Sequence, residues 1–377
     1  MNKWMTAARN VSLGIVAVAV AVIGGALVYR AVLQRENAKA LIIATPDGIA
    51  EAGYIRIGGI DQWIQIRGDD RRNPVVLLLN GGPGASWLRA TQAFVPWEKY
   101  FTVVQWDQRG AGRTFEKSGE SVAKTMTISR MVSDGLEVSN YLRAHLKKDK
   151  IILLGHSWGS ILGVHMVKAR PDLFYAFVGT GQVESMPKAL RAAYAASLAK
   201  LRQEGDESAV RELSAVGPPP YRDYATIAKA IKASRGTMMG DDVPSIAEPG
   251  GGFAAPGYSL TDDYYLVRGS NFSQRTLLAA ALREDLTTLG MHFDVPVFMF
   301  EGSADMLPIA DARDYFNRID APKKAFVAFS GGNHFVLFAR PDAFLKEMVE
   351  KVRPLAKPSL RIAPLATVDI RKSHVGR

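Results

Sequence analysis

The chain opens on an unbroken apolar run. Val11 to Tyr29 (VSLGIVAVAVAVIGGALVY) carries no charge, and its length suits a helix that crosses the hydrocarbon core of a bilayer. Lys3 and Arg9 precede it; Arg30 and Arg35 follow. A cleaved secretory signal has a shorter apolar region closed by a small-residue site. This run is longer and no A-x-A pattern ends it, so an uncleaved single-pass anchor over residues 11–30 is expected. The run has no polar stripe to serve as a wet face, which argues against a buried core helix. Residues 31–50 read as a linker.

Alternation takes over at Gly53–Gly68, through Tyr54, Ile55, Arg56 and Ile57 and then Trp63, Ile64, Gln65 and Ile66. That pattern predicts a hairpin turning at Gly58-Gly59. Short runs that are apolar throughout follow at Val75–Leu79, Phe101–Trp106, Ile151–Leu154, Phe174–Val178, Val297–Phe300 and Ala325–Phe329. Runs without alternation belong to strands buried on both faces, as in a parallel sheet covered by helices. Ile128–Leu146 has helical spacing, with Met131, Val132, Leu136 and Leu142 near one face. Further helices are expected after Ser157, Pro308 and Pro341. Strands alternating with helices predict a doubly wound α/β domain.

Residues 185–292 interrupt the rhythm. They read as helical over Ala189–Leu201, rich in Pro and Gly at Gly217–Pro220 and Pro249–Pro256, and helical again over Gln274–Leu289. An insertion of this size between core strands reads as a helical cap over a site. The core is then expected in two parts, 51–184 and 293–355, with a basic tail over 356–377.

Composition narrows the function classes. Across 377 residues, 47% are hydrophobic and 22% charged, which excludes a disordered chain. There is no cysteine, and with it go disulfides, a thiol nucleophile and thiolate metal sites. The six histidines show no metal-binding spacing, so neither a metal nor an organic cofactor is expected. The net charge of +10 is concentrated late, since residues 351–377 hold seven Lys or Arg and one Asp. Such a tail on an anchored protein suits anionic headgroups or solvent. No stripe of aromatics and arginines supports a nucleic-acid site.

The sharpest chemical signal is Gly155-His156-Ser157-Trp158-Gly159, placed between the strand at Ile151–Leu154 and a helix. A serine on such a tight turn is lifted clear of the sheet, and the glycines let the backbone make the turn. Ser157 is the expected nucleophile. Its oxyanion donors should be the N–H of Trp158 and one from the loop after an earlier strand. That loop is Asn80-Gly81-Gly82-Pro83-Gly84 after Val75–Leu79, and Gly82 is the expected second donor, with Gly81 next. The order Ser…Asp…His then asks for an acid after a late strand and a histidine after the last. Asp305 follows Val297–Phe300 and His334 follows Ala325–Phe329. Glu301 competes with Asp305, but at its strand end it should point elsewhere.

These motifs resemble the prolyl iminopeptidase group of α/β hydrolases, which remove N-terminal residues, typically proline, from peptides. The matching residues are Gly81-Gly82-Pro83-Gly84, Asp107-Gln108-Arg109-Gly110-Ala111-Gly112-Arg113, Gly155-His156-Ser157-Trp158-Gly159-Ser160, Gly302-Ser303-Ala304-Asp305 and Gly332-Asn333-His334-Phe335. The resemblance spans roughly residues 50–350 and implies the α/β-hydrolase fold with a mainly helical cap. It gives the charges of Asp107–Arg113 a bracing role. Departures are Asn80 where the family has His, Thr114 where Ser is common, and a cap without the family's Trp-rich motif. The family's cap carries glutamates for the substrate ammonium; here Glu184 is the first candidate, then Asp262, Asp263, Glu284 and Asp285. The expected function is a serine peptidase releasing N-terminal residues from small peptides. Its rivals are an esterase or amide hydrolase on small or lipid-like substrates and, more remotely, a non-catalytic binding protein. The hydrolase domain is expected outside the cytoplasm.

Overall fold

The computed structural model describes residues 2–235, 252, 254–305 and 307–356. The tail expected beyond Ala356, and half of the stretch Pro249–Pro256, lie outside the described residues.

Eight strands form one sheet in the order β1-β2-β4-β3-β5-β6-β7-β8. β1 (Ile49–Ile57) and β2 (Ile60–Gly68) make the hairpin, turning on Gly58 and Gly59 with φ of 55° and 78°. Two consecutive left-handed residues give the turn whose twist matches paired strands, and glycine takes that conformation without strain. β2 pairs antiparallel with β4 (Thr102–Trp106). All later pairings are parallel, through β3 (Val75–Leu79), β5 (Ile151–His156), β6 (Phe174–Thr180), β7 (Val297–Gly302) and β8 (Lys324–Phe329). β3, β4, β5 and β7 are buried along their whole length, as strands covered on both faces must be. β8, at the edge, is half-buried.

α1 (Asn2–Lys39) is one continuous helix. It runs past the expected boundary at Arg30 and takes in much of the stretch read as linker. Arg30, Gln34 and Asn37, spaced to share a helix face, explain the continuation. The Arg30 guanidinium donates to the Tyr258 carbonyl at 2.9 Å and to Asp263 at 3.1 Å. Gln34 donates to the carbonyls of Ala255 and Tyr258 at 2.9 and 2.7 Å, and Asn37 to that of Ala254 at 3.1 Å. The helix over Ser12–Lys39 is long and apolar enough to cross a membrane, with an 18-residue window whose mean hydropathy is 2.3.

The core helices are α2 (Gly112–Ser118), α3 (Ile128–Leu146) and α4 (Trp158–Ala169). Between β6 and β7 lie α5 (Met186–Glu204), α6 (Glu207–Val216), α7 (Tyr224–Ala233) and α8 (Leu260–Ala281). α8 starts well before the expected Gln274, because Ser259 and Asp262 form a reciprocal capping box at its N-terminus. It ends at Ala281, short of Leu289. α9 (Ile309–Arg318) and α10 (Pro341–Glu347) follow after Pro308 and at Pro341.

A buried ion pair ties the hairpin to α3. Arg109 and Asp134 meet at 2.8 Å with side chains 1% and 0% exposed, and Arg109 also donates to the Gly58 carbonyl at 2.7 Å. Removing one partner of such a pair leaves an uncompensated charge in the interior. Asp134→Ala is expected to destabilise the fold by about 3–5 kcal/mol, read as a lower unfolding midpoint. A loss no larger than that of an exposed control such as Asp149→Ala would refute the role given to this pair.

Candidate active site

The site lies where β3, β5, β7 and β8 end. Ser157, between β5 and α4, has φ 54° and ψ −118°, a backbone conformation that costs energy for any residue with a β-carbon. Its surroundings hold it there. Its N–H donates to the Thr180 carbonyl at 3.0 Å. The Ser160 hydroxyl donates to the Ser157 carbonyl at 2.7 Å and accepts the Val183 N–H at 3.2 Å. A β-carbon at Gly155 would overlap the Gly159 carbonyl, and one at Gly159 would overlap that of Leu79. The two glycines of the motif therefore mark close backbone approaches.

The second of those contacts joins Ser157's turn to the loop after β3. Gly82 there has φ 114° and a cis bond to Pro83. A β-carbon on Gly81 would stand 3.3 Å from the Ser157 β-carbon. Asn80's carbonyl accepts from Gln108 Nε2 at 3.3 Å, while Gln108 Oε1 accepts from Trp158 Nε1 at 3.3 Å. Gln108 thus ties both expected oxyanion elements together. As the first residue of α4, Trp158 carries one of the first-turn N–H groups that have no acceptor within their helix.

His334 and Asp305 come from adjacent loops laced by backbone bonds, Ser303 N–H to the Phe329 carbonyl at 3.0 Å and Ala304 N–H to Gly332 at 2.8 Å. His334 Nδ1 is 2.9 and 3.0 Å from the two carboxylate oxygens of Asp305. Asp305 also accepts the Leu307 N–H at 2.7 Å. Both side chains are buried, 8% and 2% exposed. A carboxylate can only accept here, so Nδ1 carries the proton and Nε2 keeps its lone pair. Such an imidazole can take a hydroxyl proton. A β-carbon at Gly181 would lie 2.7 Å from His334 Cε1 and 3.5 Å from His156 Nε2, so these rings crowd one small space.

His334 Nδ1 is bonded to Asp305 and not to Glu301, the competing acid. It is buried and accepts the Gln182 N–H at 3.2 Å. Desolvation and then the neighbouring Asp305 charge push its carboxyl well above the usual range. Asp107 is raised to about 6, with desolvation as the main cause. The remaining charges of its motif are engaged in bracing. Asp107 accepts the Arg113 N–H at 2.8 Å, and Arg113 pairs with Asp262 at 2.7 Å between the rings of Trp63 and Tyr258.

Glu184 lies at the base of the cap and is nearly buried. Its carboxylate pairs with Arg318, and with Lys188 at 3.2 Å. Asp263 pairs with Arg30 and Arg89, and Glu284 with His165 at 2.8 Å. Asp285 accepts from Thr287 and Ser185. Each cap acid singled out in the sequence is thus already engaged.

His156 has a role that the sequence gives no sign of. It is 1% exposed, with Nε2 2.9 Å from the His334 carbonyl. A carbonyl only accepts, so the proton is on Nε2, and the ring holds the backbone of His334. Burial, with a smaller contribution from the His334 charge, lowers its pKa from 6.5 to about 3.

The residues 76–347 match the model of an alpha/beta hydrolase family. The probable aminopeptidase YbaC of Bacillus subtilis is 29% identical over 320 residues, covering 83% of this chain and 99% of that protein. A proline iminopeptidase of Thermoplasma volcanium is 26% identical, covering 80% and 97%. Among solved structures, proline iminopeptidase from Mycobacterium smegmatis superposes with a TM-score of 0.62 at 17% identity, covering 81% of this chain and 98% of that one.

The lowered pKa of His156 gives a signed stability effect. Its folded value lies below the unfolded one, so the unfolded chain takes up a proton first as pH falls. The stability it contributes is complete above about pH 6.5 and is lost toward pH 3, at about 1.4 kcal/mol per pH unit. Asp107 and Glu301, raised in the fold, have the opposite sign and stay constant in a comparison at position 156. His156→Gln keeps an amide donor but does not titrate. Acidification from about pH 7.5 to about pH 5 should lower the melting temperature less in this variant than in the native protein; equal losses would refute the assignment.

Proposed function

The chain belongs to the alpha/beta hydrolase family, and from that membership and the geometry of the site we propose that it is a serine hydrolase acting through Ser157, His334 and Asp305. The carrying observation is the bonding of His334 Nδ1 to both oxygens of Asp305, with the His334 carbonyl bonded to His156, the residue before Ser157. In this mechanism Ser157 Oγ attacks a carbonyl carbon and His334 Nε2 takes its proton. Asp305 keeps the imidazole in that tautomer and stabilises the cation that forms. The N–H groups of Trp158 and Gly82 receive the oxyanion. His334 then protonates the leaving amine or alcohol, and water, activated by the same imidazole, hydrolyses the acyl-enzyme.

The substrate reading is release of N-terminal residues, proline among them, from small peptides. The near full-length similarity to proteins named aminopeptidase and proline iminopeptidase supports it. A second reading, an esterase or amide hydrolase for substrates without an ammonium group, draws on the engagement of Glu184, Asp262, Asp263, Glu284 and Asp285 with protein partners. In either case α1 serves as the anchor that holds the domain at the membrane, on its extracytoplasmic side.

Ser157→Ala should abolish turnover with the melting temperature retained, and Asp305→Asn should lower kcat by roughly three to four orders of magnitude. Turnover retained in the Ser157 variant removes that residue from the mechanism. Proline anilide with a free amine, the same compound N-acetylated, and a short-chain ester separate the readings. Preference for the free amine by a large factor in kcat/KM supports the aminopeptidase. Ester cleavage indifferent to the amine supports the second reading.

A further inference from the structure

We propose that the first two turns of α8 form a second membrane contact, lying in the headgroup layer beside α1. The proposal rests on α1 being inserted in the bilayer, and the experiment below tests the two separately. Outside α1, the large hydrophobic side chains exposed among the described residues are Ile42, Leu260, Tyr264 and Val267. Three of the four are on α8, at positions i, i+4 and i+7, and are 54%, 53% and 57% exposed. That spacing places them on one face. Three exposed side chains clustered in two turns suit an apolar surface more than water.

The contacts between α1 and the cap say where this face lies. Asn37 bonds Ala254, Gln34 bonds Ala255 and Tyr258, and Arg30 bonds Tyr258 and Asp263. The segment 254–263 therefore runs antiparallel to α1, descending from Asn37 toward Arg30. From the helical rise, that descent is about 10 Å. Arg30 follows directly on the last residue of the apolar run, Tyr29. The start of α8 is thus at the level where α1 would leave the hydrocarbon, and the exposed face of α8 continues the apolar surface of α1.

The chemistry of the face matches an interface. The Tyr264 hydroxyl accepts from Arg268 at 2.7 Å, and the Arg268 guanidinium sits 5.6 Å from the Tyr264 ring centre. Arg268 also reaches Glu120 at 3.6 Å while staying half exposed, and a tyrosine with an arginine beside it is common on helices that lie in the interface plane. Farther along the same helix, Ser270 and Ser273 close on Gly84 of the loop after β3, and the Ser273 hydroxyl donates to the Gly110 carbonyl at 2.8 Å. One helix therefore connects the proposed bilayer contact with the loop beside Ser157.

Because the native chain has no cysteine, single cysteines can carry an environment-sensitive nitrobenzoxadiazole label at chosen depths. The full chain would be reconstituted in phosphatidylcholine–phosphatidylglycerol vesicles holding lipids spin-labelled near the headgroup or deep in the acyl chain. Val20→Cys reports on α1, Val267→Cys on the α8 face, and Lys323→Cys on the far edge of the sheet. The expected result is quenching at position 20 by the deep label, quenching at 267 mainly by the shallow label with a blue-shifted emission, and neither at 323. Quenching at 20 without quenching at 267 overturns the proposal and leaves the anchor standing. A blue shift at 267 that grows with protein density but is not quenched also overturns it, because a second copy of the chain then covers the face. No quenching at 20 removes the anchor, and the proposal with it.

Discussion

Gly159 and the Leu79 carbonyl are in such close approach that no β-carbon fits between them, and the geometry of the site depends on this contact. It presses the first turn of α4 against the end of β3. The loop from Asn80 to Gly84 is thereby brought beside Ser157, with a β-carbon on Gly81 falling 3.3 Å from that of Ser157. Gln108 clamps the same two elements by bonding Trp158 with one end of its amide and Asn80 with the other. Under the proposed mechanism, a donor pair held in this way needs no rearrangement when negative charge develops on a substrate oxygen. The strain at Ser157 is sustained by the same packing, since Thr180, Ser160 and Val183 fix both sides of the turn.

A second dependence runs from α1 to that site. Arg113 is stacked between Trp63 of β2 and Tyr258 of the cap and paired with Asp262 at the start of α8. Arg30 of α1 takes the carbonyl of the same Tyr258. The segment 254–263 is therefore held from one side by the core and from the other by α1. Arginine suits both positions, since its planar head can stack on rings and bond in several directions at once. α1, the segment 254–263, α8 and the loop after β3 form one continuous set of contacts, so a displacement of α1 bears first on the start of α8.

The parts legible in the sequence are those where burial acts on contiguous residues. β3, with all five residues buried, appears as an uninterrupted apolar run, and α3 keeps the bounds its helical spacing predicts. Ser157, Asp305 and His334 stand out because each follows a strand of the sheet. The docking of α1 was not legible, because Arg30, Gln34 and Asn37 reveal a shared face only once the helix is known to continue. The early start of α8 had a local signal in Ser259 and Asp262, and it lay amid Pro- and Gly-rich sequence that suggested a loop. The tie from His156 to the His334 carbonyl left no trace, since it joins residues far apart in the chain through a backbone acceptor.

The cap acids pose the sharper question of substrate. Four of the pairs bridge different parts of the molecule: Arg113 with Asp262, Arg30 with Asp263, His165 with Glu284 and Arg318 with Glu184. These acids fasten the cap to the core and to α1, which is a sufficient structural reason for their presence. A carboxylate has about four acceptor sites, so fastening and ammonium binding can coexist on one residue when an oxygen remains open. Glu284 has one oxygen outside its pair with His165. However, His165 lies seven residues along α4 from Trp158, about 10 Å by helical rise, whereas the amine of an N-terminal residue sits one carbon from the carbonyl under attack. Glu284 is thus fastened to α4 about two turns beyond the residue that follows Ser157. Among these acids Asp285 is bonded to hydroxyl and amide groups, whereas ammonium binding at any of the others shares a carboxylate that already has a basic partner, as Glu184 does. A substrate without an ammonium group makes no such demand on the cap.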